Sequence, residues 1–216
     1  IEHARGQFAK PRVIRPLAGG ADICRPRTAA GIVAALLASA SLTACAAADP
    51  GPLFPDDLNP HAYIYELGEG ATVFTDGFET FEALTDDDVT IESIRSLGDA
   101  SGVDVLGVLV SGPLGENGTV QSFDAFPPRD GLDGDVSDAE GALIPAGSGY
   151  YQILVGYRTD ISTISVRSGI EVRYRVADRT YSRILPAGLV MCPPAAESTA
   201  CDGAMYEYVE KHMPSE

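Results

Sequence analysis

The sequence predicts a mainly β protein, an antiparallel β-sandwich with one short helix at its C-terminal end. Short runs of β-branched and aromatic residues recur through residues 62–190, and Gly, Pro and Asp separate them. The run 170–176 alternates strictly between apolar residues and Glu or Arg, which is the period of a half-buried strand. No long stretch of helical periodicity occurs between residues 62 and 190. A small β-barrel is the alternative architecture.

The predicted elements follow one another closely along the chain. The runs that predict strands are 62–67, 71–75, 89–97, 103–110, 119–126, 150–157, 170–176 and 181–185. Within 89–97 the apolar residues change parity between Ile91 and Ile94, which predicts a bulge. Residues 176–180 predict a turn that joins the last two runs into a hairpin. Residues 203–212 predict the C-terminal helix.

The predicted sandwich is immunoglobulin-like in architecture only. True immunoglobulin domains carry a Cys…Trp…Cys signature, and this chain contains no Trp. Because unrelated functions share such a fold, the fold class by itself indicates no activity.

A basic patch, an apolar stretch and small residues precede Cys45. Arg25 and Arg27 come first, residues 29–40 carry no charge, and Leu42-Thr43-Ala44-Cys45 follow. This order is typical of a secretory signal, and the apolar stretch is shorter than the roughly 20 residues that span a bilayer. The last four residues resemble the bacterial lipobox. That resemblance implies cleavage before Cys45 and acyl chains such as palmitate on its thiol, which anchor the protein to the outer side of the cell membrane.

These features predict four parts of the chain. Residues 1–24 are expected to be a disordered or over-extended N-terminus, 25–44 the signal peptide, 45–61 a flexible tether, and 62–216 the sandwich domain with a C-terminal disulfide loop and helix. The tether prediction rests on four prolines between residues 50 and 60. A buried helix over 29–44, with Cys45 as a core thiol, is the alternative to a signal peptide.

Three further segments carry a looser resemblance. Gly156-Tyr157-Arg158, the run 169–175 and Leu189 to Cys192 are similar to uncharacterised actinobacterial secreted lipoproteins with a β-rich domain. The resemblance covers residues 90–192. It implies the β fold and no particular activity.

Cys192 and Cys201 are the two cysteines that follow Cys45. An even pair in an exported protein predicts a disulfide, whereas a redox or metal pair would need a CxxC spacing or a nearby His. The chain-entropy model gives such a small loop about 2–3 kcal/mol of stabilisation.

Charge is distributed unevenly along the chain. The formal net charge is −16, but residues 46–216 contain 9 basic and 29 acidic residues. A body with this much negative charge repels nucleic acid and anionic lipid head groups, so neither is an expected partner of its bulk surface. Residues 150–190 nevertheless contain six arginines, for which we expect pairing with acidic neighbours; an acidic cell-wall polymer is the alternative partner.

One acidic segment resembles half of a calcium-binding loop. Asp133, Asp135 and Ser137 place oxygen ligands at every second position, and Asp138 follows. The segment departs from the EF-hand pattern because Asp138 replaces the turn glycine and Ile144 replaces the bidentate Glu. A solvated acidic loop is the alternative to a calcium site.

No motif of an enzyme is present. The chain lacks the GxSxG elbow, Walker loop, GxGxxG and HExxH patterns, and neither His61 nor His212 has a partner in a motif. We therefore expect a non-catalytic lipoprotein that has no cofactor and that binds an envelope protein or a wall polymer. A small-ligand or calcium-binding lipoprotein comes second and a hydrolase third.

Overall fold

The computed structural model of the chain describes residues 51–55, 58–70, 72–98, 102–115, 121–132 and 134–212. The predicted signal peptide, the lipobox residues Leu42, Thr43 and Ala44, and Cys45 lie outside these residues. The described elements are β1 (His61–Glu66), β2 (Thr72–Ala83), β3 (Val89–Leu97), β4 (Val103–Gly112), β5 (Asp135–Asp138), β6 (Leu143–Ile144), β7 (Gly149–Thr159), β8 (Ser165–Arg167), β9 (Gly169–Val176), β10 (Arg179–Leu185), β11 (Ala187–Cys192) and α1 (Ser198–His212).

Two antiparallel four-stranded sheets form the sandwich. Sheet I has the order β2-β7-β4-β5, and sheet II has the order β10-β9-β3-β6. The apolar faces of both sheets contribute to one buried cluster, which includes Phe74, Ile153, Ile91 and Val172. The predicted mainly β sandwich with a C-terminal helix is confirmed. Among the described strands each sheet is open, so they do not form the alternative barrel.

Two bulges change which residues of a strand face the core. In β3 the register shifts between Ile91 and Ser93, which confirms the predicted bulge. In β2 the register with β7 shifts between Asp76 and Glu79, so Gly77 and Phe78 together oppose one residue. Even-numbered residues therefore face the core before this bulge and odd-numbered residues face it afterwards.

A third sheet, sheet III, has the order β1-β11-β8 and lies between the sandwich core and α1. Every residue of β11 is buried, because Leu189 and Met191 pack in the sandwich core while Val190 packs against the helix residues Met205 and Tyr208. A strand covered on both faces is the setting in which parallel pairing is common. Accordingly β1 pairs with β11 in parallel, the one departure from antiparallel order among the described strands.

The predicted flexible tether is wrong for the part that the structure describes. Leu53 and Phe54 are buried, with 3% and 5% of their surface exposed. The Phe54 ring packs against Phe81 and Tyr174, at centroid distances of 5.7 and 5.9 Å. The prolines that suggested a tether restrict the backbone without preventing burial of the apolar residues between them. We call residues 51–55 the leading segment.

One helix boundary and several strands also differ from expectation. Within the run 119–126 the described residues form only an isolated bridge between Thr75 and Phe123, so a strand there is wrong for that part. The helix begins at Ser198 instead of Gly203. Strands β5, β6, β8 and β11 were not predicted, because they are short or lack alternation.

Candidate functional site

The outer face of sheet II concentrates exposed arginines. Apolar residues at even positions of β9 fill the core, so Arg173 and Arg175 point outward beside Arg95 of β3. Their side chains are 60%, 47% and 68% exposed, respectively. We call this surface, together with Thr180 and Ser182 of the adjoining strand β10, the arginine face.

Acidic neighbours pair with these arginines. Arg95 contacts the Glu171 carboxylate, Arg173 Nε donates to Glu92 Oε2 at 2.9 Å, and Arg175 Nε lies 3.8 Å from Glu92 Oε1. The predicted internal pairing of the arginines in residues 150–190 is thus confirmed for Arg173 and Arg175. Because the pairs are exposed, each contributes no more than about 1 kcal/mol to stability, and a ligand can compete for the guanidinium groups.

The arginine face is open and polar. An open depression of about 600 Å³ lies on it, and its lining includes Ser93, Arg95, Glu171, Arg173, Thr180 and Ser182. The strands of sheet II contain five arginines and two glutamates, whereas those of sheet I contain one arginine and six acidic residues. The two sheets therefore differ in the sign of their charge.

A second group of charges is buried between sheets I and III. Arg167, at the end of β8, and Asp76 in β2 form an ion pair in which each side chain is 1% exposed. Arg167 also donates from Nε to the Ala187 carbonyl at 3.2 Å and from Nη1 to the Tyr157 hydroxyl at 3.3 Å. Burial opposes the charge on Arg167, but Asp76, Tyr157 and Glu79 together outweigh burial, so the pKa of Arg167 is raised.

His61 and Glu79 extend this group toward solvent. His61 Nε2 lies 3.0 Å from Glu79 Oε1, and Nδ1 lies 3.1 Å from the Asn59 carbonyl oxygen. Burial lowers the pKa of His61, but its contacts with Glu79 and Asn59 outweigh burial and raise it above 6.5. The expectation that His61 lies in a tether without a partner is wrong, since it begins β1 and pairs with Glu79.

The buried side chains of Arg167 and Asp76 are inaccessible to a substrate, so we interpret this buried group of charges as structural. Sequence reasoning missed Asp76 and Glu79 entirely. The signal that could have revealed them is the change of core parity between Phe74 and Phe81. A strand that makes this change needs a bulge, and the bulge places both carboxylates on the core side.

The predicted calcium loop is a strand in its described part. Asp135, Ser137 and Asp138 lie in β5, an exposed edge strand paired with β4, and Asp133 lies outside the described residues. Extended backbone places Asp135 and Ser137 on one face and Asp138 on the other, whereas a calcium loop wraps its oxygens around the ion. In the described ranges no group of three His, Cys, Asp or Glu side chains could hold a metal. Calcium binding here stays a prediction.

Cys192 and Cys201 form a disulfide, as predicted, with 6.2 Å between their Cα atoms. The bond joins the end of β11 to the first turns of α1. It therefore fixes the helix against the buried strand of sheet III. Of the helices in the described part of the chain, none is long and apolar enough to cross a membrane.

Comparison of the chain with protein-family models, with curated proteins and with solved structures finds no match.

Proposed function

We propose that this protein is a lipoprotein anchored to the outer side of the cell membrane, and that its sandwich is a non-catalytic interaction module of the cell envelope. One observation carries the proposal. The sequence Leu42-Thr43-Ala44-Cys45 follows a basic and then an apolar stretch, and only six residue steps separate Cys45 from Gly51 in the leading segment. A basic region, an apolar region and small residues at a cleavage site are typical of a secretory signal, and acyl chains on the cysteine at that site anchor the domain that follows.

Two features of the domain support this proposal. The Cys192–Cys201 disulfide fits an oxidising compartment outside the cytoplasm. The arginine face is exposed, polar and shallow, a shape suited to an extended partner surface more than to enclosing a small substrate. The partners we propose are the membrane, through the lipid, and an envelope protein or wall polymer.

The anchor is tested by the intact mass of the protein extracted from membranes of a bacterial expression host. We expect a species that starts at Cys45, carries acyl mass and lacks two hydrogens for the disulfide. A Cys45→Ser variant is the matched control, and it should carry no acyl mass. A wild-type species that retains residues 1–44, or one without acyl mass, would contradict the proposal.

The interaction module is tested by cross-linking on intact cells followed by mass spectrometry. We expect one reproducible envelope partner to be recovered with the wild-type protein. Recovery of chance neighbours alone, with no reproducible partner, would contradict the interaction module.

A further inference from the structure

We propose that the arginine face, with the adjoining edge strand β10, lies against the anionic surface of the membrane that holds Cys45. This inference rests on the proposed lipid anchor. It adds an orientation for the domain and a partner for one of its surfaces, namely the phosphate groups of anionic lipids.

The position of the leading segment is the first step. Leu53 N donates to the Tyr174 hydroxyl of β9 at 3.2 Å, and Arg183 of β10 donates from Nη2 to the Pro55 carbonyl oxygen at 2.8 Å. A side chain at Gly51 would collide with the ring of Tyr181, also in β10. The chain therefore joins the domain at the β10 edge of the sandwich.

The length of chain before this segment is the second step. Six residue steps separate Cys45 from Gly51, and fully extended chain covers at most about 3.6 Å per residue, so the lipidated residue lies within roughly 20 Å of the β10 edge. A domain of roughly 160 residues measures about 40 Å across. The β10 edge must then be nearer to the bilayer than the β5 edge on the other side.

The charges on sheet II give a third reason for this orientation. The outer face of sheet II carries Arg95, Arg173 and Arg175 beside two glutamates, while Arg179 and Arg183 of β10 lie on the opposite side of their strand. The body that carries this face is otherwise strongly acidic. An anionic bilayer attracts such a face and repels the acidic strands of sheet I, and the attraction is greatest within a Debye length of about 8–10 Å. Both forces favour the orientation that the short connection already imposes.

The chemistry of the face completes the argument. Guanidinium groups donate two hydrogen bonds to a phosphate, and the pairs that Arg95 and Arg173 make with carboxylates are exposed and weak. Ile184, which is 57% exposed, projects from β10 on the same side as Thr180 and Ser182. Ile184 lies opposite Glu171 at the edge of this face, and an exposed apolar side chain there suits the boundary between headgroups and acyl chains.

The test uses the lipidated protein reconstituted in vesicles whose headgroups carry a fluorescence quencher. Ile184→Cys and Val136→Cys place one thiol-reactive fluorophore on β10 or on β5, both at exposed positions. In vesicles with phosphatidylglycerol we expect stronger quenching at position 184 than at 136. We expect the difference to shrink in vesicles of phosphatidylcholine alone.

Charge variants separate the electrostatic contribution from the effect of the short connection. Arg173→Gln with Arg175→Gln should lower the preference for the proposed orientation about fivefold per arginine, while Arg158→Gln, in sheet I, should leave it unchanged. Equal quenching at the two positions, stronger quenching at 136, or no effect of the paired substitutions would overturn this inference. Intact mass is measured on the same samples: missing acyl mass contradicts the anchor, whereas acyl mass with the wrong label pattern contradicts the orientation alone.

Discussion

Arg167 shows how a single charged side chain is accommodated in this core. Its guanidinium is held by Asp76, by the Tyr157 hydroxyl and by the Ala187 carbonyl, while Nη2 has no hydrogen-bond partner among the described residues. Removing two charges from water costs several kcal/mol each, and the pair recovers that cost only through its mutual contact. The effect of each charge on stability therefore depends on the presence of the other.

We expect Asp76→Asn to lower the free energy of unfolding by about 3–5 kcal/mol, because it leaves a buried cation without its counter-charge. Replacing both partners, as Asp76→Leu with Arg167→Met, should cost less than the sum of the single changes. Urea unfolding followed by circular dichroism measures these values. Arg173→Gln, in an exposed pair, is the control and should change stability by less than about 1 kcal/mol. Additive single effects would show that the pair is not coupled.

His61 makes the stability depend on pH. Its pKa is raised in the folded protein, so the protonated form is favoured there over the unfolded chain. The stabilisation is complete below the unfolded pKa of about 6.5 and disappears as the pH rises through the higher folded pKa. We expect the urea midpoint to fall across this interval, and His61→Gln to remove that fall. His212→Gln, in α1, is the control; an unchanged pH profile in His61→Gln would contradict the assignment.

At the scale of an element, the β2 bulge decides which side chains reach the core. Gly77 lies in this bulge with no room for a side chain, since a Cβ there would lie 2.6 Å from the Gln121 carbonyl oxygen and 2.7 Å from Gln152 Nε2. Gln152 itself donates to the Gly77 carbonyl and is 1% exposed. Nothing larger than glycine fits without moving the buried amide or the neighbouring backbone.

We therefore expect Gly77→Ala to destabilise the protein by about 1–3 kcal/mol, as overpacking of a core does. The same change at Gly203 in α1 meets nothing within 4 Å, and it should stabilise the protein by about 0.5–1 kcal/mol through helix propensity. Thermal unfolding of the two variants under the same conditions measures the expected loss of stability in one and the expected gain in the other. An undisturbed melting temperature in Gly77→Ala would show that the bulge tolerates a methyl group.

At the scale of the whole molecule, the leading segment belongs to the folded domain. It lies at the β10 edge of sheet II and contacts β2 of sheet I through Phe54 and Phe81. It therefore packs where the edge strands of the two sheets approach each other. The chain before Gly51 consequently leaves from a defined place on the surface, which is what makes an orientation at the membrane testable.

We expect Phe54→Ala to cost about 3–5 kcal/mol, the usual effect of truncating a buried Phe. Pro52→Ala, at an exposed position of the same segment, is the matched control and should change stability little. Denaturant unfolding compares the two. Equal stability of Phe54→Ala and the parent protein would restore the interpretation of this segment as a tether.

Local sequence patterns predicted the mainly β class, the bulge in β3, the hairpin of β9 and β10 and the Cys192–Cys201 bond. Each of these follows from local alternation, turn residues or a count of cysteines, which are readable along the chain. The folded structure was needed to establish the pairing of β1 with β11, the burial of Leu53 and Phe54, and the ion pair between Asp76 and Arg167, 91 residues apart. These contacts join segments distant in sequence, and no local pattern encodes which distant partner a strand or a charge will meet.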